Sequence, residues 1–147
     1  MAIESGNRAA ILKRSLIFSG LNDGDLDALS KLGVSHSFKA GEFVFWEGDV
    51  PAHFFVVTSG RVKVLKHSSL GKEFVVAFFG PGDVFGEVAV FEERPYPASA
   101  QAMSDTAVLG IGRDRFLAFL SGPNEGAKVK TFSNIQHLFK IKINPKY

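Results

Sequence analysis

The sequence contains no cysteine. This absence excludes a disulfide framework, an iron–sulfur cluster, a thiolate zinc site and a cysteine nucleophile. No stretch approaches about 18 apolar residues without a charge, so no membrane-spanning helix and no membrane partner are predicted. Charged side chains interrupt the first twenty residues and leave no apolar segment for a signal peptide, which indicates a cytoplasmic protein.

Histidine is scarce, and the four histidines stand apart from one another. They form neither a His-x-His nor a His-x-x-x-His pair, whereas a metal site needs several ligands that converge on one ion. We therefore predict no metal site. Coordination of a haem by a single histidine stays open on the sequence alone. The four are His36, His53, His67 and His137.

Length and composition are those of one globular domain. The 147 residues are 46% hydrophobic and 22% charged, which permits a buried core and excludes intrinsic disorder. Residues 1–120 carry 12 basic and 14 acidic side chains, whereas residues 121–147 carry five lysines and one glutamate. We interpret these lysines as a solvated helix face rather than a nucleic-acid contact.

The chain divides into helices, a β-roll and further helices within one domain. The apolar spacing predicts a short helix over residues 8–18. Asn22 or Asp23 is expected to cap a second helix that continues to Leu32 and stops at Gly33. The three predicted segments are residues 8–33, 34–112 and 113–142 of a domain spanning residues 1–147.

From residue 34 the apolar side chains recur with a period of two, which is typical of strands with one buried face. Short apolar runs rich in β-branched and aromatic residues follow at 54–57, 74–79 and 106–111, separated by glycines. Strands at a spacing of about 8–12 residues with glycines between them predict a mainly β fold with flanking helices. The architecture expected is a double-stranded β-helix, or jelly roll.

Residues 80–102 hold the most informative segment. Gly86 and Glu87 precede the small apolar residues 88–90, a pattern that predicts a tight turn opening into a short helix. Backbone N–H groups at such a turn favour an anion, whereas the carboxylate suits the hydroxyls of a ribose. Taken alone, the pair is also explained by turn geometry.

In their order along the chain, the glycines and their neighbours resemble a cyclic-nucleotide-binding domain, specifically the effector domain of the Crp–Fnr family of bacterial transcription regulators. The resemblance covers roughly residues 15–120 almost without gaps. It implies a jelly roll of the cyclic-nucleotide-binding type and a ligand-sensing regulatory domain. The matching pieces are residues 41–49, 54–64, Gly71, 80–83, 85–87, 97–100 and 113–116.

The resemblance further implies a binding site for a cyclic nucleotide. Gly86 and the amides after it would face the cyclic phosphate, and Glu87 would hold the ribose 2′-hydroxyl. Ser99 would add a donor. The site residues implied are Phe85, Gly86, Glu87, Val88, Ala89, Tyr96, Pro97, Ala98 and Ser99.

One position departs from the family pattern. Members that bind cyclic nucleotides place an arginine about ten residues after the glycine, where it contacts the phosphate. A gapless alignment puts Tyr96 there, and a shift by one residue puts Pro97 there. Neither side chain carries a positive charge, so we expect weak binding of cAMP and cGMP and leave the ligand unknown.

Two other functions are compatible with the roll. One is a ligand-free interaction or dimerisation module. The other is a cupin-type metal enzyme, which needs two neighbouring histidines and a carboxylate. Only His53 lies near the equivalent strand, so we expect no catalytic residues and a protein that is not an enzyme.

The regulators that the chain resembles continue into a helix-turn-helix domain. The residues after Leu120 are too few for a recognition helix. We therefore expect no sequence-specific DNA binding by this chain alone.

An apolar stripe predicts a homodimer through the last helix. A monomer would leave this stripe exposed, and exposed stripes usually mark an interface. Light scattering at about 0.1 mM, above the dissociation constants typical of obligate dimers, should give the mass of two chains. A monomer at that concentration would contradict the prediction. The stripe consists of Val129, Phe132, Ile135 and Phe139.

Overall fold

Two antiparallel β-sheets, flanked by helices, make up the described part of the chain, which is residues 5–121 of a computed structural model. In chain order the elements are α1 (Ser5–Lys13), a 3₁₀ turn (Leu16–Phe18), α2 (Asp23–Leu32), β1 (Val34–Phe38), β2 (Phe43–Phe45), β3 (His53–Ser59), β4 (Val62–His67), β5 (Glu73–Phe79), β6 (Val84–Phe85), α3 (Glu87–Glu92), β7 (Ser99–Ala102), β8 (Thr106–Gly112) and α4 (Arg113–Leu120).

The strand order confirms the predicted jelly roll. One sheet has the order β1-β8-β3-β6 and the other the order β2-β7-β4-β5. Strand β8 pairs with both β1 and β3, so the end of the roll returns to its beginning. The segment that the sequence marks as a ligand site runs from β6 through α3 to the start of β7.

Alternating side chains of β3 divide the interior into two cores. Phe54 and Val56 pack against the helices, and Phe55 and Val57 pack inside the roll against the second sheet. This alternation follows from the period of two along a strand. Each fully buried side chain of this size contributes about 1.5–3 kcal/mol of hydrophobic stabilisation.

Helix α2 begins and ends where the sequence predicts. The Asn22 side chain accepts a hydrogen bond from the Asp25 amide at 2.8 Å, so Asn22 rather than Asp23 caps the helix. At Gly33 a Cβ atom would lie 2.5 Å from Cγ of Leu109. Glycine is required there because β8 passes too close for a side chain.

The first helix is shorter than predicted. Instead of continuing over residues 8–18, α1 ends at Lys13. The amides of Arg14 and Ser15 then bond to carbonyls three residues back, at 3.1 and 3.0 Å. These tighter bonds turn the chain into the 3₁₀ segment.

The C-terminal stripe of Val129, Phe132, Ile135 and Phe139 lies outside the described residues, so the homodimer stays a prediction. Within residues 5–121, α4 matches the helix predicted after the roll. That part of the chain holds no helix long and apolar enough to span a membrane.

Candidate ligand-binding site

A left-handed glycine joins β6 to α3. Gly86 has a φ of +80°, a conformation that side chains rarely adopt. A Cβ atom there would lie 3.3 Å from Cε2 of Phe45 and 3.5 Å from Cε1 of Tyr96. The backbone angle therefore favours glycine, and a side chain there would also press against the Phe45 ring. The predicted turn and short helix are present.

Helix α3 starts with a buried carboxylate. Glu87 is 1% exposed and occupies the first turn, where the positive end of the helix dipole favours a negative charge. Ala89 is buried in the roll core, and Val88 is half-buried. No side chain caps the helix at Gly86. The start of α3 thus places backbone amides of the first turn beside a carboxylate that is already withdrawn from solvent.

Tyr96 fills the space beside this turn. Its ring is stacked on Phe45 with 3.7 Å between the ring centroids and 8° between the planes. Its hydroxyl donates a hydrogen bond of 2.6 Å to the backbone carbonyl of His53, at the start of β3. The side chain is 5% exposed and belongs to the same core as Phe85 and Ala89.

The backbone of Tyr96 is also fixed. Its amide donates to the carbonyl of Asp49 at 3.1 Å, and its carbonyl accepts from the amide of Gly48 at 2.9 Å. Three hydrogen bonds and a ring stack therefore tie this residue to β3 and to the turn over residues 46–49. The loop between α3 and β7 is anchored through Tyr96.

Burial raises the pKa of Tyr96 to about 12, with a smaller contribution in the same direction from Asp49. The unfolded state, with a phenol pKa of about 10, loses its proton first as the pH rises. We expect the resulting stabilisation to be complete below about pH 10 and to be lost between about pH 10 and 12. Absorbance at 295 nm should show a tyrosine that titrates near pH 12 in the native protein and not in Tyr96→Phe, and the free energy of unfolding in urea should fall more steeply across this range in the native protein. Equal pH dependence in both proteins would contradict the assignment.

The other predicted site residues follow Tyr96 into β7. Pro97 is exposed and Ala98 is buried. The Ser99 side chain is also buried, and its hydroxyl oxygen accepts a hydrogen bond of 2.8 Å from the amide of Glu47. Arg94 is exposed just after α3, and its amide donates to the Ala89 carbonyl.

The structure brings Phe85, Gly86, Ala89 and Tyr96 together inside the roll, whereas the Ser99 hydroxyl holds the neighbouring turn. Sequence reasoning missed Phe45, whose ring forms the face against which Tyr96 lies. The period of two in β2 identifies Phe45 as buried but does not indicate its partner. The His53 carbonyl has no sequence signal, because any residue can provide a backbone acceptor.

Metal ligands are not clustered in the part of the chain that is described. Among residues 5–121, no three His, Asp or Glu side chains come close enough together to hold an ion. The chemistry of the site therefore rests on backbone amides, one carboxylate, one phenol and aromatic rings.

A family model described as "Cyclic nucleotide-binding domain" matches residues 35–122. The match includes the eight strands, the turn at Gly86 and helix α3. The chain belongs to this family. Within the family it resembles the effector domains of Crp-type regulators.

Named relatives agree with this class. The chain is 31% identical over 109 residues to the cyclic AMP receptor protein of Thermus thermophilus, covering 74% of this chain and 50% of that protein. It is 30% identical over 111 residues to the CRP-like cAMP-activated global transcriptional regulator of Mycobacterium tuberculosis. That alignment covers 76% of this chain and 50% of that protein. The chain thus spans about half the length of these relatives.

The fold is also that of a solved regulator domain. The N-terminal domain of a transcriptional regulator from Streptomyces coelicolor A3(2) superposes with a TM-score of 0.80 at 24% identity. The superposition covers 90% of this chain and 91% of that domain. At this identity the likeness concerns the architecture alone.

Proposed function

We propose that this chain is the non-enzymatic, ligand-sensing domain of a cytoplasmic regulator, in which the turn for a cyclic nucleotide persists and the charged clamp on its phosphate is replaced. The observation that carries the proposal is that Tyr96, which a gapless alignment puts at the arginine position, is buried, stacked and hydrogen-bonded to protein. We further propose that residues 1–147 form one domain and that it assembles as a homodimer.

Charge is the first reason to expect weak cyclic-nucleotide binding. Tyr96 is uncharged at neutral pH, and its hydroxyl proton is already donated to the His53 carbonyl. An arginine would instead offer two parallel, charge-assisted hydrogen bonds. Contacts of that kind are worth about 1.5–3 kcal/mol, which corresponds to about one to two decades in affinity.

The burial of the site is the second reason to expect weak cyclic-nucleotide binding. Glu87 is 1% exposed and Tyr96 is 5% exposed, so a ligand reaches the carboxylate only after the segment over residues 85–99 has rearranged. A ligand that binds a sparsely populated open state loses apparent affinity in proportion to that population. The missing charge and the closed packing both lower the expected affinity for a cyclic nucleotide.

Calorimetric titration of the native protein with cAMP and cGMP tests this proposal. We expect dissociation constants well above the low micromolar range, since about 1.5–3 kcal/mol of phosphate binding is absent. Glu87→Gln should weaken the residual binding further, because it removes the proposed acceptor for the ribose hydroxyl.

Glu92→Gln, at the other end of the same helix, is the matched control and should leave the affinity unchanged. Low-micromolar binding of cAMP by the native protein would overturn the proposal.

A second candidate function is an interaction module that senses no ligand. The closed packing of Tyr96 against Phe45 favours it, because the roll core is complete without a bound molecule. If no cyclic nucleotide or organic anion shifts the melting temperature in a screen, this second function replaces the first.

A further inference from the structure

A separate cleft of about 640 Å³ opens beside the roll, between the approach to β3, the end of β8 and the start of α4. Its size falls in the range of about 300–1,000 Å³ that is typical of small-molecule sites. Apolar side chains line most of it, among them Val34 and Val50, which are 54% and 85% exposed.

Gly112 in β8 leaves room in the cleft. Gly110 and Gly112 both contribute to its lining, next to His53 of β3. A Cβ atom at Gly112 would meet nothing closer than the His53 ring at 3.8 Å. A second cavity of about 260 Å³ shares Val34 and His53 and extends towards Phe55. The two cavities together have room for the apolar part of a ligand longer than one aromatic ring.

The two arginines that line the cleft differ in their ion pairs. The guanidinium of Arg113 lies 3.2 Å from a carboxylate oxygen of Glu93 and 3.6 Å from one of Asp114. Both acidic groups of the lining are thereby paired with one arginine. Arg115 also lines the cleft, is exposed, and makes no ion pair with another residue of the range 5–121. The formal charges of the lining therefore balance, but the Arg115 guanidinium, beside an apolar wall, is without an ion-pair partner among residues 5–121.

We propose that this cleft binds a small apolar acid, an aromatic or medium-chain molecule with a single carboxylate. The apolar body lies along Val34 and Val50, and the carboxylate meets the Arg115 guanidinium, the geometry in which arginine binds carboxylates best. This site is independent of the turn at Gly86 and does not require the proposed cyclic-nucleotide chemistry.

The cleft is physically connected to the cyclic-nucleotide segment. One of its walls is His53, whose carbonyl accepts the Tyr96 hydroxyl, and another is Glu93, which ends helix α3. An acid bound in the cleft thus contacts residues that hold both Tyr96 and α3. Its binding is expected to increase protection of the α3 amides against hydrogen exchange.

The test is an NMR titration of the ¹⁵N-labelled chain with benzoate and with octanoate. Benzyl alcohol and 1-octanol serve as uncharged counterparts. We expect saturable shifts of the His53, Gly110 and Gly112 amides with the acids, and an affinity at least about tenfold weaker for the alcohols. Arg115→Gln should weaken acid binding by about tenfold, whereas Arg61→Gln, which changes an exposed arginine on the other sheet, should not.

Gly112→Leu is an independent variant that places a side chain inside the cleft and should exclude the ligand. Gly112 has an extended backbone with a φ of −73°, which leucine adopts without strain, so the variant should fold and lose binding of both acids. The proposal is overturned if neither acid gives saturable shifts up to about 10 mM, a concentration at which even a weak site is occupied. It is also overturned if acids and alcohols bind equally, or if Gly112→Leu binds as the native chain does.

Discussion

Replacement of Tyr96 by alanine is expected to lower the free energy of unfolding by about 3–5 kcal/mol, the range for truncation of a buried aromatic side chain. The ring is 5% exposed and lies face to face with Phe45, so its removal leaves a cavity in the roll core. The donor to the His53 carbonyl disappears at the same time. Urea unfolding followed by circular dichroism measures the loss.

Two further variants separate the contribution of the Tyr96 hydroxyl from that of its buried ring. Tyr96→Phe keeps the ring and removes only the hydroxyl, so it should cost about 1–2 kcal/mol. Phe43→Ala breaks a stack of the same 3.7 Å centroid distance, but against Trp46, which is 52% exposed. There we expect about 1 kcal/mol, because surface stacking excludes less water. A loss for Tyr96→Ala no larger than for Phe43→Ala would show that Tyr96 does not hold the roll core.

The roll could be predicted because its signals are local. Glycines at turns, such as Gly48 and Gly60, have φ values of +91° and +82°, and the strand between them, β3, is a short apolar run rich in aromatic and β-branched residues. Backbone conformation and side-chain period are both readable within a few residues. The helix-capping residue Asn22 and the short helix after Gly86 could be predicted for the same reason.

The interior of the site could not be predicted in this way. The Tyr96 hydroxyl bonds to a carbonyl 43 residues earlier, and the stack on Phe45 joins the α3–β7 loop to strand β2. Glu93 adopts a φ of +56°, which no local preference of glutamate indicates, next to its ion pair with Arg113. Such contacts depend on which strands meet, and that information lies in the tertiary packing.

The same residue links stability to ligand preference in this domain. A guanidinium at position 96 would lose the stack on Phe45 and the bond to His53, and without a ligand it would stand in an apolar, aromatic core. A bound phosphate would give that charge its partner. Stability of the free domain and affinity for a cyclic phosphate should therefore change in opposite directions when arginine replaces Tyr96.

Tyr96→Arg is accordingly expected to raise the affinity for cAMP by about one to two decades, equivalent to about 1.5–3 kcal/mol, while lowering the stability of the ligand-free domain. The gain arises from paired hydrogen bonds between the guanidinium and the cyclic phosphate beside the amides of Gly86. Calorimetric titration gives the affinity, and thermal unfolding with and without cAMP gives the stability of each state.

Tyr96→Gln is the matched control, since it also removes the ring from the Phe45 stack but supplies no charge. If emptying the space were sufficient, glutamine and arginine would raise cAMP affinity equally; the charge argument requires a gain for arginine alone. Adding Glu87→Gln to Tyr96→Arg should then remove part of that gain, because the ribose loses its acceptor. An arginine variant that folds and binds cAMP no better than the native chain would show that the turn at Gly86 does not bind a cyclic phosphate.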